Sequence, residues 1–329
     1  MKKNVIAVVG ATGLVGNAFL RVLEEKKLNI DKYYLYASKK SAGKIIRFLG
    51  SNHTVLELTE ENIVDKGITL ALFSAGTEVS KRFAPIFVKN GAIVIDNSSQ
   101  WRMNNNCPLV VPEVNAEDIW WNSGIIANPN CSTIQAVVAL KPLDDEFKIK
   151  RIVYSTYQAV SGAGVQGFLD LQQGVKGINP QKFPYPIFAN VIPHIDSFLE
   201  NGYTKEEMKM IKETKKILHN DSLKITATTV RVPVYYGHSE SINVEFYKPC
   251  TLIDIKNTLS KANGIVLIDD IHNNKYPMPI YAEGKDEVFV GRVRIDDTVD
   301  SGCNLWVVAD NIRKGAATNA IQIAEKIIK

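Results

Sequence analysis

The sequence predicts an α/β chain in two parts: a doubly wound, Rossmann-type domain first, then an α+β domain built on a large mixed sheet. Three observations carry that prediction. Short apolar strands alternate with amphipathic helices up to about residue 128, the pattern of βαβ units around a parallel sheet. Beyond that point the apolar segments lengthen and alternate with polar residues, as in sheets with one solvated face. A glycine-rich turn, Gly10, Gly13 and Gly16, joins the first strand to the first helix, where backbone must approach closely.

Taken in order, residues 4–9 (NVIAVV) read as a buried strand, 13–26 (GLVGNAFLRVLEEK) as an amphipathic helix and 33–37 (YYLYA) as a second strand. Residues 69–75 form a third strand, 78–91 a helix closed by Gly91, and 92–97 a further strand. In the second half, 148–160, 223–234, 240–247, 287–295 and 304–310 read as strands, and helices fall near 163–176, 204–219 and 251–262. Residues 178–194 are a proline-rich connection, and 313–329 an amphipathic helix that returns to the first domain. The domains are therefore drawn as 1–128 plus 311–329, and 129–310.

Bulk properties narrow the function classes. A chain of 329 residues with 45% hydrophobic and 22% charged content is long enough for two domains. A net charge of +4 with only short lysine runs does not point to nucleic acid. Cysteines 107, 131, 250 and 303 show no CxxC spacing, which argues against a zinc site and a disulfide scaffold and for a reducing cytoplasm. The N-terminal apolar run from Val5 to Val9 is too short for a signal peptide core. No apolar run reaches the roughly 18 residues of a membrane span.

Two stretches carry chemistry. In VVGATGLVG the glycines admit a pyrophosphate, which sits on the following helix N-terminus. After the second strand come Ser38, Lys39, Lys40 and Ser41. NAD binders usually carry a carboxylate there for the ribose hydroxyl; cations and hydroxyls suit a 2′-phosphate, so NADP is favoured. In ANPNCSTIQ, Cys131 stands where a helix begins. The positive end of a helix favours a thiolate, so Cys131 is a candidate nucleophile, although most free cysteines simply pack. A thiol nucleophile needs an acid/base partner. Of His53, His194, His219, His238 and His272, His238 is favoured because it follows Gly237 in a turn between two strands.

The segments GATGLVG, ASKKSAGK, DNSSQWRM, VPEVN, NPNCSTIQ, TYQAVSGAG, GYTKEEMKMIKETKKIL, RVPVYYGHSE and AATNAIQIAE, in this order, resemble the bacterial aspartate-β-semialdehyde dehydrogenase family over essentially the whole chain. The resemblance implies a cytoplasmic, NADP-dependent homodimer. It implies a second domain that carries catalysis and dimerisation. The implied reaction reduces and dephosphorylates L-aspartyl 4-phosphate to L-aspartate 4-semialdehyde, in the biosynthesis of lysine (through diaminopimelate), methionine and threonine. By matching position, Cys131 resembles the acyl-accepting nucleophile, His238 the acid/base and Gln158 the residue that orients substrate. Arg231 resembles the clamp on the α-carboxylate, Glu213 the residue facing the α-ammonium, and Arg102, Asn130 and Lys216 the phosphate-binding group. Thr12, Gly13, Leu14, Val15, Lys40, Ser41, Ser161, Gly162 and Asn319 match cofactor contacts; where this loop has Lys39 and Lys40 the family commonly has arginine. The neighbouring readings are N-acetyl-γ-glutamyl-phosphate reductase, a phosphorylating glyceraldehyde-type dehydrogenase, and a non-catalytic NADP-binding regulator with a redox-sensing Cys131.

Overall fold

A computed structural model describes residues 3–328. Residues 1 and 2 of the first predicted domain, and position 329 at the end of the last predicted helix, lie outside the described residues. The chain divides into two compact units, Met1–Pro129 with Ala316–Lys329, and Asn130–Gly315.

The first unit is a seven-stranded sheet flanked by helices. Its elements are β1 (Val5–Val9), α1 (Leu14–Lys26), β2 (Lys32–Ala37), β3 (Ile45–Phe48), β4 (Ser51–Glu57), α2 (Glu60–Ile63), β5 (Leu70–Phe73), α3 (Thr77–Lys89), β6 (Ile93–Asp96), α4 (Pro112–Asn115) and β7 (Ile125–Ala127). The spatial order is β3-β4-β2-β1-β5-β6-β7. β1 is buried along its whole length and pairs in parallel with β2 and β5, which is why its sequence is continuously apolar rather than alternating. Val5, Ala7 and Val9 share a core cluster with Tyr36, Phe73, Phe83 and Phe87. Each large apolar side chain buried there contributes about 1.5–3 kcal/mol.

The β3–β4 hairpin is an element that sequence periodicity did not show. Leu49 and Gly50, both at positive φ (49° and 74°), form its two-residue turn. That backbone is normally signalled by Asn-Gly or Asp-Gly; a leucine in the first position hides it. β4 then extends the sheet by pairing in parallel with β2.

The second unit contains α5 (Cys131–Phe147), β8 (Ile149–Gln158), α6 (Gly164–Gly174), α7 (Lys205–Ile217), β9 (Lys224–Arg231), β10 (His238–Phe246), α8 (Leu252–Lys261), β11 (Ile265–Leu267), α9 (Pro279–Ala282), β12 (Val288–Ile295) and β13 (Gly302–Ala309). Its sheet runs β11-β12-β13-β10-β8-β9. β8–β9 and β11–β12 are parallel and the remaining pairs antiparallel, so the sheet is mixed, as predicted. α5 packs against β8, β10, β12 and β13; residues 132–140 are all buried, as befits a central helix without a polar face. The C-terminal α10 (Asn319–Ile327) belongs to the first unit and follows a π-helical segment, Arg313–Thr318, in place of one continuous α-helix from 313.

Candidate functional site

In the first unit, the turn after β1 has the shape its glycines require. Gly10 sits at φ 85°, and a Cβ there would lie 2.2 Å from the Ser74 carbonyl oxygen. A Cβ on Gly16 would lie 2.0 Å from the Gly10 oxygen, so α1 crosses the turn at glycine contact distance. Gly13 is the N-cap of α1; it supplies no side-chain cap, and the first turn holds no acidic residue. The N–H groups of the opening residues, Leu14 and Val15 among them, lack the intrahelical partners of mid-helix groups. Ser38 precedes a short 3₁₀ turn, Lys39–Ser41, and the Thr12 hydroxyl donates to Ser41 Oγ at 3.4 Å. A pyrophosphate therefore fits the close backbone and open helix start of this turn.

Two sequence candidates in this unit donate to main-chain oxygens, one of them also to a side-chain amide. Arg102 is buried and donates through Nε to Asn128 O and through Nη2 to Asn97 O, each at 3.0 Å. Asn319 is fully buried, and its amide donates to Val110 O (2.9 Å) and Asn128 Oδ1 (2.7 Å).

The second unit gathers most of the remaining candidates. Cys131 is the first residue of α5, and Asn130 is its N-cap, with Oδ1 accepting from the N–H groups of Ser132 and Thr133. Cys131 Sγ lies 3.2 Å from Nε2 of His238. The structure corrects the placement of that histidine. His238 is not in a turn between strands but is the first residue of β10, fully buried. Turn-like sequence (Tyr236-Gly237) gives way to strand two residues earlier than the predicted strand start at residue 240, because the partner strand β13 reaches out to Ala309 opposite His238.

The ring's tautomer follows from its contacts. The Ala159 N–H donates to Nδ1 at 3.0 Å, so Nδ1 carries no proton and a neutral ring holds its proton on Nε2, facing the sulfur. Burial holds the imidazole well below its ordinary pKa, and the nearby Arg231 charge acts in the same direction.

Arg231 ends β9 opposite Gln158 of β8. Its Nη1 donates to Ala159 O at 2.6 Å, and its guanidinium lies over the Phe183 ring. Burial works against its charge, while the Glu206 carboxylate and a Cys131 thiolate favour it. Gly162 borders the same cluster: a Cβ there would stand 3.1 Å from Arg231 Nη1 and 3.3 Å from His238 Cε1. Neighbouring Ser161 is hydrogen-bonded to Asn311. Lys216, half-buried, lies one turn beyond Glu213 on α7.

Sequence reading missed Glu206, which the structure places among these residues. Its Oε1 accepts from Asn130 Nδ2 at 2.8 Å and from Gln158 Nε2 at 3.3 Å, and its Oε2 from Lys209 at 3.0 Å. Burial pushes its carboxyl up, but Lys209, these hydrogen bonds and Arg231 outweigh that and hold it ionised. Glu213, two turns along the same face of α7, accepts from the Asn130 backbone N–H at 2.7 Å. Two carboxylates thus grip the cap of the cysteine helix, one at its main chain and one at its side chain. The only sequence signal was the seven-residue interval. Gly315 was also missed; a Cβ there would stand 2.9 Å from Cys131 Cβ.

A doubly wound unit with a glycine turn, joined to an α+β unit that holds a thiol against an imidazole, defines a thiol-bearing oxidoreductase of the semialdehyde dehydrogenase class. Residues 5–121 match the family described as semialdehyde dehydrogenase, NAD binding domain. Residues 140–314 match the one described as semialdehyde dehydrogenase, dimerisation domain. Within that class the chain belongs to the aspartate-semialdehyde dehydrogenase family. It is 56% identical to the aspartate-semialdehyde dehydrogenase of Aquifex aeolicus over 98% of each chain. It superposes with a TM-score of 0.95 on Vibrio cholerae aspartate semialdehyde dehydrogenase II complexed with ASA, at 46% identity over 100% of this chain and 99% of the other. A Candida albicans aspartate semialdehyde dehydrogenase with NADP is similar at 26% identity, with a TM-score of 0.77 and 98% coverage of both chains.

Proposed function

We propose that this chain reduces L-aspartyl 4-phosphate to L-aspartate 4-semialdehyde with NADPH, through a thioester on Cys131. As a cytoplasmic homodimer it serves lysine, methionine and threonine biosynthesis. The observation that carries the reading is the Cys131 Sγ–His238 Nε2 contact of 3.2 Å at the start of a buried helix. The ASA complex of the Vibrio relative and the NADP complex of the Candida relative support the substrate and the cofactor.

The residues present suit each part. Gly10, Gly13 and Gly16 with the open start of α1 would hold the pyrophosphate, and Lys39, Lys40 and Ser41 the 2′-phosphate. When bound, the nicotinamide supplies the hydride that takes the acyl group to the aldehyde level. Cys131 is kept as an acceptor of the Nε2 proton, beside the Arg231 charge, so a thiolate is the favoured form. Its attack on the acyl carbon forms the thioester and expels phosphate, which Arg102, Asn130 and Lys216 are assigned to bind. Gln158 orients the acyl group, Arg231 pairs with the α-carboxylate and Glu213 with the α-ammonium. Collapse of the tetrahedral adduct expels the thiolate back to the same Nε2–H, so His238 steadies the sulfur as attacking and as leaving group; it is the residue assigned as acid/base because it is the titratable group in contact with that sulfur.

The test is phosphate-dependent NADP reduction with aspartate semialdehyde against N-acetylglutamate semialdehyde, for wild type and Cys131→Ala. The wild type prefers the free amino acid, and Cys131→Ala folds but does not turn over. A preference for the acetylated substrate overturns the assignment; a wild-type rate in Cys131→Ala overturns the thioester.

A further inference from the structure

Between α6 and α7 the chain runs through residues 175–204 without a named helix or strand, and it carries Pro180, Pro184, Pro186 and Pro193. Prolines lack the N–H that a sheet ladder needs, and connections of this length are usually either functional or disordered. This one is tied down by a single carboxylate. Asp170 of α6 is only 3% exposed. Its Oδ1 accepts from the Gln181 N–H at 3.0 Å and from Gln166 Nε2 at 3.2 Å, and its Oδ2 from the N–H groups of Lys182 (2.7 Å) and Phe183 (3.0 Å). Three consecutive main-chain donors, between Pro180 and Pro184, thus converge on one anion as a nest. Burial pushes the Asp170 carboxyl up, but these donors outweigh that and hold it below its ordinary range.

The segment held in this way touches Arg231 at two points. Ile192 and Arg231 exchange main-chain hydrogen bonds of 2.9 and 2.8 Å. The Phe183 ring faces the Arg231 guanidinium, with Cζ 5.7 Å from the ring centroid, within reach of a cation–π contact. The ring packs against Val160, Leu171, Ile187 and Ile192. α6 comes close to it at Gly167, where a Cβ would stand 3.2 Å from the Phe183 Cζ. The last donor to Asp170 is the N–H of Phe183 itself, so the carboxylate fixes the main chain from which the ring projects. We propose that Asp170 is a positioning residue for substrate recognition: its carboxylate sets residues 181–183, and with them the Phe183 ring, against the Arg231 guanidinium, and so fixes the plane of the fork that meets the substrate α-carboxylate. The Ala159 oxygen holds one edge of the guanidinium at 2.6 Å, and the ring holds its face. A fork oriented in advance loses less freedom on pairing with a carboxylate. Loosening the nest or removing the ring therefore acts on substrate binding, while the Cys131–His238 contact stands on α5 and β10.

This role rests on the reading of Arg231 as the carboxylate clamp, and the experiment separates the two. Kinetics of the full chain are compared for aspartate semialdehyde and for 3-aminopropanal, the same aldehyde without its α-carboxylate. Asp170→Asn keeps the side chain's size but turns an amide N–H toward the N–H donors. Phe183→Leu keeps the apolar packing and the nest but removes the ring, so it reads the ring's part even where Asp170→Asn lowers stability. Both variants raise KM for aspartate semialdehyde at least about tenfold, with kcat, and kcat/KM for 3-aminopropanal, each within about twofold of wild type. Equal losses on the two aldehydes, or no loss on either, overturn the positioning role. Arg231→Lys gauges the clamp by abolishing the preference for the carboxylate-bearing aldehyde. A preference that persists in Arg231→Lys removes the clamp reading and this role with it. A preference lost in Arg231→Lys but kept in Asp170→Asn and Phe183→Leu overturns the role alone. Limited trypsin digestion reads the nest without turnover. Lys182 is exposed, and the Lys182–Phe183 bond is cut at least about fivefold faster in Asp170→Asn than in wild type, because the opened segment loses its anchor. Equal cleavage rates overturn the nest as the hold on residues 181–183.

Discussion

Removing the Glu206 carboxylate tests how the nucleophile's helix is held. Glu206→Ala takes the acceptor from Asn130 Nδ2 (2.8 Å) and Gln158 Nε2 (3.3 Å) at a position only 5% exposed. The Lys209 pair adds little, because Lys209 is partly solvated and also pairs with Asp196. A buried hydrogen bond to a charged group is worth about 1.5–3 kcal/mol, and the longer Gln158 contact less. The total loss is therefore about 2–4 kcal/mol, divided between stability and transition-state binding. At about 1.4 kcal/mol per decade, a third to a half of it lowers kcat/KM by roughly three- to thirtyfold. Glu206→Gln keeps an amide oxygen for Asn130 but deprives Arg231 of its counter-charge, so its loss is intermediate and weighted toward KM. The assay is initial-rate NADP reduction with aspartate semialdehyde at saturating phosphate, with thermal unfolding alongside. A Glu206→Ala enzyme within about threefold of wild type in kcat/KM would show that Asn130 and Gln158 are positioned by other contacts.

Two further outcomes follow from the same geometry. Replacing Lys39 and Lys40 together by Ala raises the KM for NADP and leaves NAD nearly unchanged, since the 3₁₀ turn Lys39–Ser41 supplies cations and no carboxylate; equal losses with both cofactors would refute 2′-phosphate reading. Arg231→Lys lowers kcat/KM for aspartate semialdehyde by at least about tenfold, because an ammonium cannot reproduce a planar fork held by the Ala159 oxygen; steady-state kinetics showing a neutral change would remove Arg231 from the carboxylate site.

The sequence by itself determined the elements whose signals are local. β1 is a continuous apolar run, α1 follows a glycine turn, and Cys131 opens α5 behind an asparagine cap, because periodicity, backbone sterics and capping act within a few residues. The family and its reaction class were legible for the same reason, as short motifs in a fixed order. Only the tertiary structure decided what depends on distant partners. The β3–β4 turn accepts Leu49 at positive φ because β4 then pairs with β2. His238 joins β10 because β13 extends opposite it. Glu206 and Glu213 meet Asn130 from 76 and 83 residues away. A charge on a helix is ordinarily solvated; only the packing of α7 against α5 makes these two carboxylates part of the ground on which Cys131 stands, because burial is what turns a side-chain contact into several kilocalories of consequence.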